Sequence, residues 1–430
     1  MKVLKNKLIS AGLIQAISFF VSGIFQLAII FLFSKFFPSS VVGFISIISI
    51  INMFCLSMAE SGIYNFVVYK KTLTKELFVS LQTFISIISF SIFIIMVVII
   101  IYYPSIGKIE KTSIIIALTC IPIISLGSIQ YAVLMNEYKF TQILVIETIF
   151  RSSQFFILLT LIKLNLDYIY IYPIALLASY VLRLLTITAY THNHHYITYS
   201  IKRLSRNDTK DFFRFYTSQF GSNAINTFSS KIDEIIIASF INLASLGQYF
   251  IVKQVVIQLL SAIFILFRRI FMPILSSNKG KNSIYLAFKK QFRFIVMFIL
   301  ILNISLFLIT NVFKHSNNSG YIELFTVVFT IFSMKSLSAN FQCAYYQVIG
   351  KPLIELYWNM IQAVVLCLSF FLVAYFSFID SIYTMLIFLF ITNLTFYITS
   401  YFILLITKKS QSTLIYTLAM LILSLLFLVS

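Results

Sequence analysis

The stretch from residue 218 to residue 258, SQFGSNAINTFSSKIDEIIIASFINLASLGQYFIVKQVVIQ, is apolar enough to enter a membrane, yet it carries Lys231, Asp233, Glu234 and Lys253. A charge at the centre of a bilayer costs at least about 2.5 kcal/mol, so such residues face a partner or a water-filled cavity. On a helix, Lys231 and Glu234 share one face with asparagine, serine and threonine, and isoleucines occupy the other face. The pattern indicates either a buried polar network between helices or the wall of a solute pathway.

The composition defines the class of protein around this stretch. Of 430 residues, 60% are hydrophobic and only 10% are charged, and the mean hydropathy is +0.98. A soluble domain of this length is far more polar, so the chain is predicted to be a polytopic membrane protein. The net charge of +19 does not indicate a nucleic-acid partner, because the basic residues lie between apolar runs rather than on a soluble surface.

Thirteen apolar segments are long enough to be considered as membrane spans, which need about 20 residues each. They lie near 9–34, 42–69, 77–103, 112–135, 142–162, 168–190, 212–241, 245–275, 291–313, 320–348, 354–376, 381–406 and 413–429. Connections on one predicted side hold 22 of the 32 lysines and arginines, whereas those on the other side hold five. The positive-inside rule therefore predicts a cytoplasmic N-terminus.

The order of the segments predicts two six-helix lobes. Residues 1–195 form the N-terminal lobe, 196–211 a cytoplasmic linker and 212–407 the C-terminal lobe, and 408–430 would add a thirteenth transmembrane helix. The halves are similar in sequence around Gly43 and Gly247, and again around Lys139 and Lys351. Since each half has an even number of spans, we expect a pseudo-two-fold axis along the membrane normal, with a site between the lobes.

Charged residues recur inside other predicted spans, at Glu60, Glu147, Arg151, Arg183 and Lys335. Glu147 and Arg151 are four residues apart on one helix, a spacing at which the two charges can neutralise each other. Each polar stripe alone is compatible with interhelical hydrogen bonding. Their spread over both halves favours a shared hydrophilic cavity.

Several blocks of the sequence resemble the Wzx-type oligosaccharide flippases of the multidrug/oligosaccharidyl-lipid/polysaccharide exporter superfamily. These blocks are FSKFFPSSVVGFISIISIINMF at 33–54, PxxxLGSIQYAVLMNEYKF at 122–140, KIDEIIIASFINLASLGQYFIVKQV at 231–255 and YYQVIGKP at 345–352. The most specific element is an aspartate of the seventh helix followed by a turn and G-x-Y, here Asp233 and the segment 247–249. The basic residue usual after that aspartate is replaced by Glu234, with Lys231 before it.

This resemblance implies transport of a polyprenyl-diphosphate-linked oligosaccharide across the bacterial cytoplasmic membrane, for O-antigen or another surface polysaccharide. A polysaccharide polymerase and a chain-length regulator would be its protein partners. A diphosphate is bound by lysine or arginine in a cavity of low dielectric. The expected substrate-binding residues are Lys231, Asp233, Glu234, Lys253, Lys335, Arg151 and Arg183. Lys231 is expected to be the main anion contact, held by Glu234 when no substrate is bound, and Glu60 and Glu147 are candidates for ion coupling.

Two other functions fit the same composition less well. An ion-coupled multidrug exporter of the same superfamily would favour an acidic, aromatic cavity, whereas three lysines are predicted in this one. A membrane glycan polymerase would need a sizeable outer loop for its catalytic residues, and the predicted outer connections are short. The chain has no G-x-x-x-x-G-K-[ST] sequence, so ATP hydrolysis within it is not expected. No enzyme activity, metal site or cofactor is predicted.

Overall fold

A computed structural model describes residues 2–59, 63, 66–67, 74–104, 107–137, 139–191, 206–277, 281–313, 319–337, 360–361, 364–368 and 382–407. Over these residues the chain is helical, without a strand. Twelve helices have the bounds α1 Lys2–Phe36, α2 Ser39–Ala59, α3 Lys75–Tyr102, α4 Lys108–Leu118, α5 Cys120–Asn136, α6 Phe140–Lys163, α7 Tyr168–Thr191, α8 Arg206–Ile236, α9 Leu243–Ser277, α10 Lys281–Phe313, α11 Ser319–Ser336 and α12 Ile382–Thr407.

Eight stretches of the described helices are long and apolar enough to cross a membrane. They correspond to the first six predicted spans and to the eighth and ninth. Helix α8 is not among them, because the polar side chains of the seventh predicted span lower its hydropathy. The eleventh predicted span lies mostly, and the thirteenth entirely, outside the described residues.

Local sequence explains where several helices begin and end. The fourth predicted span forms two helices, α4 and α5, because Pro122 lacks the N–H that would bond to the carbonyl of Leu118, the last residue of α4. After α6, Asn165 adopts a φ of 53°, a left-handed conformation that asparagine tolerates better than most residues just past a helix end. Before α9, the side chain of Asn242 accepts a hydrogen bond of 2.7 Å from the backbone N–H of Ser245 and so caps the helix.

The chain divides into two compact units, residues 1–231 and 232–430, and the boundary falls inside α8. In unit 1, α6 packs against α1 and α7, and α5 packs against α3 and α7. The beginning of α8 also belongs to this unit: Phe212 lies in a core cluster with Phe66 and Phe78, and the Tyr216 hydroxyl donates to the carbonyl of Met58 at 2.9 Å. In unit 2, α11 packs against α9, α10 and α12.

A short π-helical segment, Ile237–Ile241, continues α8 and packs against α9. A π turn holds one residue more than an α turn, and such segments occur frequently at functional sites. Here the segment begins three residues after Glu234 and ends at Ile241, and the extended backbone of Asn242 starts the turn into α9. The two helices that carry the charged residues of the stretch 218–258 are therefore joined by a single non-helical residue.

The predicted orientation can be tested with one residue on each predicted side of the membrane. The turn at Pro38–Ser40 is expected outside, and Ser40 is exposed there. A membrane-impermeant thiol reagent should therefore modify Ser40→Cys in intact cells in which the four native cysteines are replaced. Ser205→Cys, in the predicted cytoplasmic linker, should react only after the membrane is permeabilised. The opposite pattern would reverse the assigned topology.

Candidate functional site

Unit 2 contains a buried network of charged and aromatic side chains, here called the ion network. It consists of Asp233 and Glu234 on α8, Tyr249 and Lys253 on α9, and Phe332 and Lys335 on α11. The side chains of Glu234 and Lys253 are 0% and 1% exposed, and that of Asp233 is 6% exposed. Charges buried to this extent are tolerated only when they are paired and hydrogen-bonded.

Lys253 is the centre of the ion network. Its Nζ lies 2.8 Å from Oδ1 and 2.6 Å from Oδ2 of Asp233, and 2.8 Å from Oε1 of Glu234. An ammonium group has three N–H donors, so these three contacts match its full donor capacity. Lys253 was expected to help Lys231 in anion binding, and the structure places it between both carboxylates.

Tyr249 completes the coordination of Asp233. It precedes Lys253 by four residues, so both side chains project from one face of α9. Its hydroxyl donates a hydrogen bond to Oδ2 of Asp233, and the residue is fully buried. The motif consists of Asp233, a turn and G-x-Y. Its tyrosine therefore holds α9 against α8 through a hydrogen bond to the aspartate of the same motif.

Phe332 and Lys335 extend the ion network to α11. The Nζ atoms of Lys253 and Lys335 lie 5.4 and 5.6 Å from the centroid of the Phe332 ring, within the range of cation–π attraction. Two carboxylates and two ammonium groups give the network a formal charge of zero. Lys231 lies on α8 three residues before Glu234, is 6% exposed and adds a further positive charge to that helix.

Unit 1 contains a second charged group, here called the arginine cluster. It consists of Tyr131 on α5, Glu147, Phe150 and Arg151 on α6, and Arg183 on α7. Nη2 of Arg183 lies 2.8 Å from Oε1 of Glu147, and its guanidinium carbon lies 4.9 Å from the Tyr131 ring centroid and 5.5 Å from that of Phe150. The Arg151 guanidinium lies 5.0 Å from the same Phe150 centroid.

The structure thus pairs Glu147 with Arg183 on the neighbouring helix, whereas the spacing along α6 suggested Arg151. The two side chains project from helices that pack along their length, so the pair bridges α6 and α7. Phe150 brings the two arginines together, because both guanidinium groups contact its ring. Of the predicted site residues, Glu60 lies outside the described residues, and a cavity between the lobes remains a prediction.

The role of Tyr249 can be measured separately from that of Lys253. Replacing Tyr249 by phenylalanine removes one buried hydrogen bond to a carboxylate and leaves the Lys253–Asp233 contact in place. Hydrogen bonds to charged groups contribute about 1.5–3 kcal/mol, so Tyr249→Phe should lower the unfolding midpoint of the purified protein. Tyr102→Phe is the matched control, since Tyr102 is 81% exposed. Equal midpoints for the two variants would show that the Tyr249 hydroxyl does not stabilise the network.

Comparisons with solved structures identify the fold. The chain is similar to a multidrug resistance MATE family transporter of the MOP superfamily in its inward-facing conformation, with a TM-score of 0.66, 11% identity and coverage of 92% of this chain and 96% of that chain. It is also similar to an outward-facing MATE transporter (TM-score 0.59, 15% identity, 93% and 97% coverage). A MOP superfamily transporter from Pyrococcus furiosus gives a TM-score of 0.56 at 15% identity, with 94% and 97% coverage. A comparison with curated protein sequences finds no match.

The chain is therefore a multi-pass, all-helical membrane protein with the two-lobed fold of MOP superfamily transporters, as predicted. A family model described as "Polysaccharide biosynthesis protein" matches residues 34–314, more than half of the chain. The chain belongs to this polysaccharide biosynthesis family. The matched region includes α2 to α10 and so contains the arginine cluster and, of the ion network, Asp233, Glu234, Tyr249 and Lys253.

Proposed function

We propose that the chain is a flippase that moves a polyprenyl-diphosphate-linked oligosaccharide across the bacterial cytoplasmic membrane, for the synthesis of O-antigen or another surface polysaccharide. The observation that carries this proposal is the combination of a polysaccharide biosynthesis family match with buried lysines and half-buried arginines in a transporter fold. Lipid-linked repeat units are negatively charged at the diphosphate, and buried basic groups complement that charge. The N-terminus would lie in the cytoplasm.

Substrate contacts are proposed at Lys231, Lys253 and Lys335 from one half of the chain and at Arg151 and Arg183 from the other. Alternating access between the two lobes would carry the diphosphate and the sugars across while the lipid tail stays in the bilayer. Glu60 and Glu147 remain proposed sites of ion coupling. A polysaccharide polymerase and a chain-length regulator would receive the product at the outer face.

The short connections support transport rather than catalysis. In the described part of the chain, the predicted outer connections after α1, after α6 and after the π segment have two, four and one residues. A glycan polymerase needs room there for an acid, a base and a sugar acceptor. A multidrug exporter of the same superfamily is the second candidate, and its support is the fold shared with multidrug transporters.

Deletion of the gene in its own bacterium separates the candidates. We expect loss of the surface polysaccharide and accumulation of the lipid-linked repeat unit, measured by glycan gels and by mass spectrometry of lipid extracts. A plasmid copy should restore both. Susceptibility to cationic dyes and antibiotics is measured in parallel in the same strains. Unchanged polysaccharide together with increased drug susceptibility would contradict the flippase proposal and favour drug export.

A further inference from the structure

A cavity of about 220 Å³ lies inside unit 1, beside the arginine cluster. Its walls come mainly from α5 and α7. Most of the lining is apolar, and the polar contributions are a serine hydroxyl, a tyrosine and one guanidinium group. The lining residues that matter here are Gly127, Ser128, Tyr131, Ala132, Arg183 and Ile187. The volume is below the roughly 300–1,000 Å³ of pockets that enclose a whole drug-sized ligand, so this cavity suits only part of a larger molecule.

The arginine cluster gives this cavity a positive edge. Glu147, Arg151 and Arg183 together have a formal charge of +1, from two guanidinium groups and one carboxylate, and the carboxylate pairs with Arg183. Arg183 is held in place by Glu147 and by the Tyr131 and Phe150 rings, so its guanidinium is ordered where it lines the cavity. An ordered guanidinium suits phosphate oxygens, to which it can donate two parallel hydrogen bonds. A cationic solute would be repelled by the same charge.

The position along the helices indicates which leaflet would supply the ligand. Arg183 precedes Thr191, the last residue of α7, by about 12 Å of helix at 1.5 Å per residue. Helix α7 leads into the predicted cytoplasmic linker, and α5 ends at the connection that contains Lys139, which is predicted on the same side. The cavity therefore lies toward the cytoplasmic leaflet.

We propose that this cavity and the arginine cluster form a binding site for a lipid with a phosphate or diphosphate head group. The head group contacts Arg183 and Arg151, and the first carbons of the chain enter the cavity between α5 and α7. Either a prenyl phosphate or an anionic phospholipid has this chemistry. The site lies wholly within unit 1, and it rests on the proposed function where the ligand is the transported lipid, because its two arginines are the proposed substrate contacts of this half of the chain.

Four probe ligands measure separately how the head group and the chain contribute to binding. The measurements use the purified full-length protein in a neutral detergent. Farnesyl diphosphate carries both parts, farnesol only the chain and inorganic diphosphate only the charge, and a short-chain phosphatidylglycerol represents the phospholipid. Isothermal titration calorimetry should show farnesyl diphosphate binding at least about tenfold more tightly than farnesol or inorganic diphosphate, since each of these lacks one set of contacts. Equal affinity for phosphatidylglycerol identifies a general anionic-lipid site, and much weaker affinity identifies a prenyl-phosphate site.

Two variants test the location of the site, one by changing the shape of the cavity and the other by changing the charge of the arginine cluster. Ser128→Phe fills the cavity without changing a charge, and Arg151→Gln removes one positive charge from the cluster. Each should weaken binding of farnesyl diphosphate, or of phosphatidylglycerol if that is the tighter ligand, by about tenfold or more. Arg183 and Glu147 are left intact, because removing either one would leave the other without its ion-pair partner.

The control for Ser128→Phe is Thr160→Phe. Both hydroxyls donate to a carbonyl of their own helix, Ser125 for Ser128 and Phe156 for Thr160, but Thr160 is on the exposed side of α6. Thr160→Phe should bind like the native protein. If Arg151→Gln and a folded Ser128→Phe both bind the tighter lipid with an affinity within twofold of that of this control, the proposed location of the site is wrong. If the purified protein binds lipid at this site but the deletion strain makes normal surface polysaccharide, the lipid site is supported and only the proposed transport function is wrong.

Discussion

Replacing Lys253 by alanine is expected to remove most of the folded protein from the membrane. The change leaves Asp233 and Glu234 buried next to each other without the ammonium group that contacts three of their oxygens. Breaking a buried ion pair in this way costs about 3–5 kcal/mol, a large fraction of the roughly 5–15 kcal/mol by which proteins are stable. Immunoblots of membrane fractions and the unfolding midpoint of any purified protein measure the loss.

A second substitution shows whether the charge imbalance is the cause. The double variant Lys253→Met with Asp233→Asn removes one charge of each sign and keeps the ion network neutral, so it should recover much of the lost protein. Lys290→Ala changes an exposed lysine of α10 and should match the native level. Native amounts and an unchanged midpoint for Lys253→Ala would mean that the two carboxylates do not depend on Lys253.

Replacing Lys231 by alanine is expected to abolish polysaccharide export at a normal amount of protein in the membrane. In the proposed mechanism, Lys231 supplies a positive charge beyond the balanced ion network and is the main contact of the substrate diphosphate. Lys231→Arg keeps the charge and should retain part of the export. Surface polysaccharide, normalised to protein in the membrane, is the measurement, and Lys163→Ala at the exposed end of α6 is the control.

Two results would assign Lys231 a structural role instead. One is normal export by Lys231→Ala. The other is a fall in the amount of Lys231→Ala protein in the membrane while export per protein stays normal. The Lys253 and Lys231 variants are therefore expected to have different defects. Lys253→Ala should lower the amount of protein in the membrane, whereas Lys231→Ala should lower the export of polysaccharide by a normal amount of protein.

The fold class was accessible from the sequence because a membrane span has a simple physical signature, about 20 apolar residues, which most of the described helices show. The charged residues that matter were also evident, since charge inside an apolar run is expensive. The residues with which these charges pair could not be predicted from the sequence. Glu147 could have paired with Arg151 one turn away, and only the packing of α6 on α7 selects Arg183.

The same limit applies to the ion network. The position of Lys253 against both carboxylates depends on how α8 and α9 face each other, and helical periodicity within one helix does not contain that information. The π segment, which packs against α9, left no recognisable pattern in IASFI. Tyr249 could have been identified, since it is the third residue of the G-x-Y motif, but the motif alone does not state which atom its hydroxyl meets.

The π turn contributes one extra residue to the connection between α8 and α9, and this affects which of their side chains meet. Asp233 lies before the segment Ile237–Ile241, and Tyr249 and Lys253 lie after it, so every residue between them contributes to the angle at which they meet. A single-residue deletion there changes the number of residues that join Asp233 to Tyr249 and Lys253, so we expect it to disturb both contacts at once. A point substitution among the same five residues leaves the count intact. The number of residues in the segment Ile237–Ile241, more than the identity of those five residues, is thus the quantity this part of the sequence has to preserve.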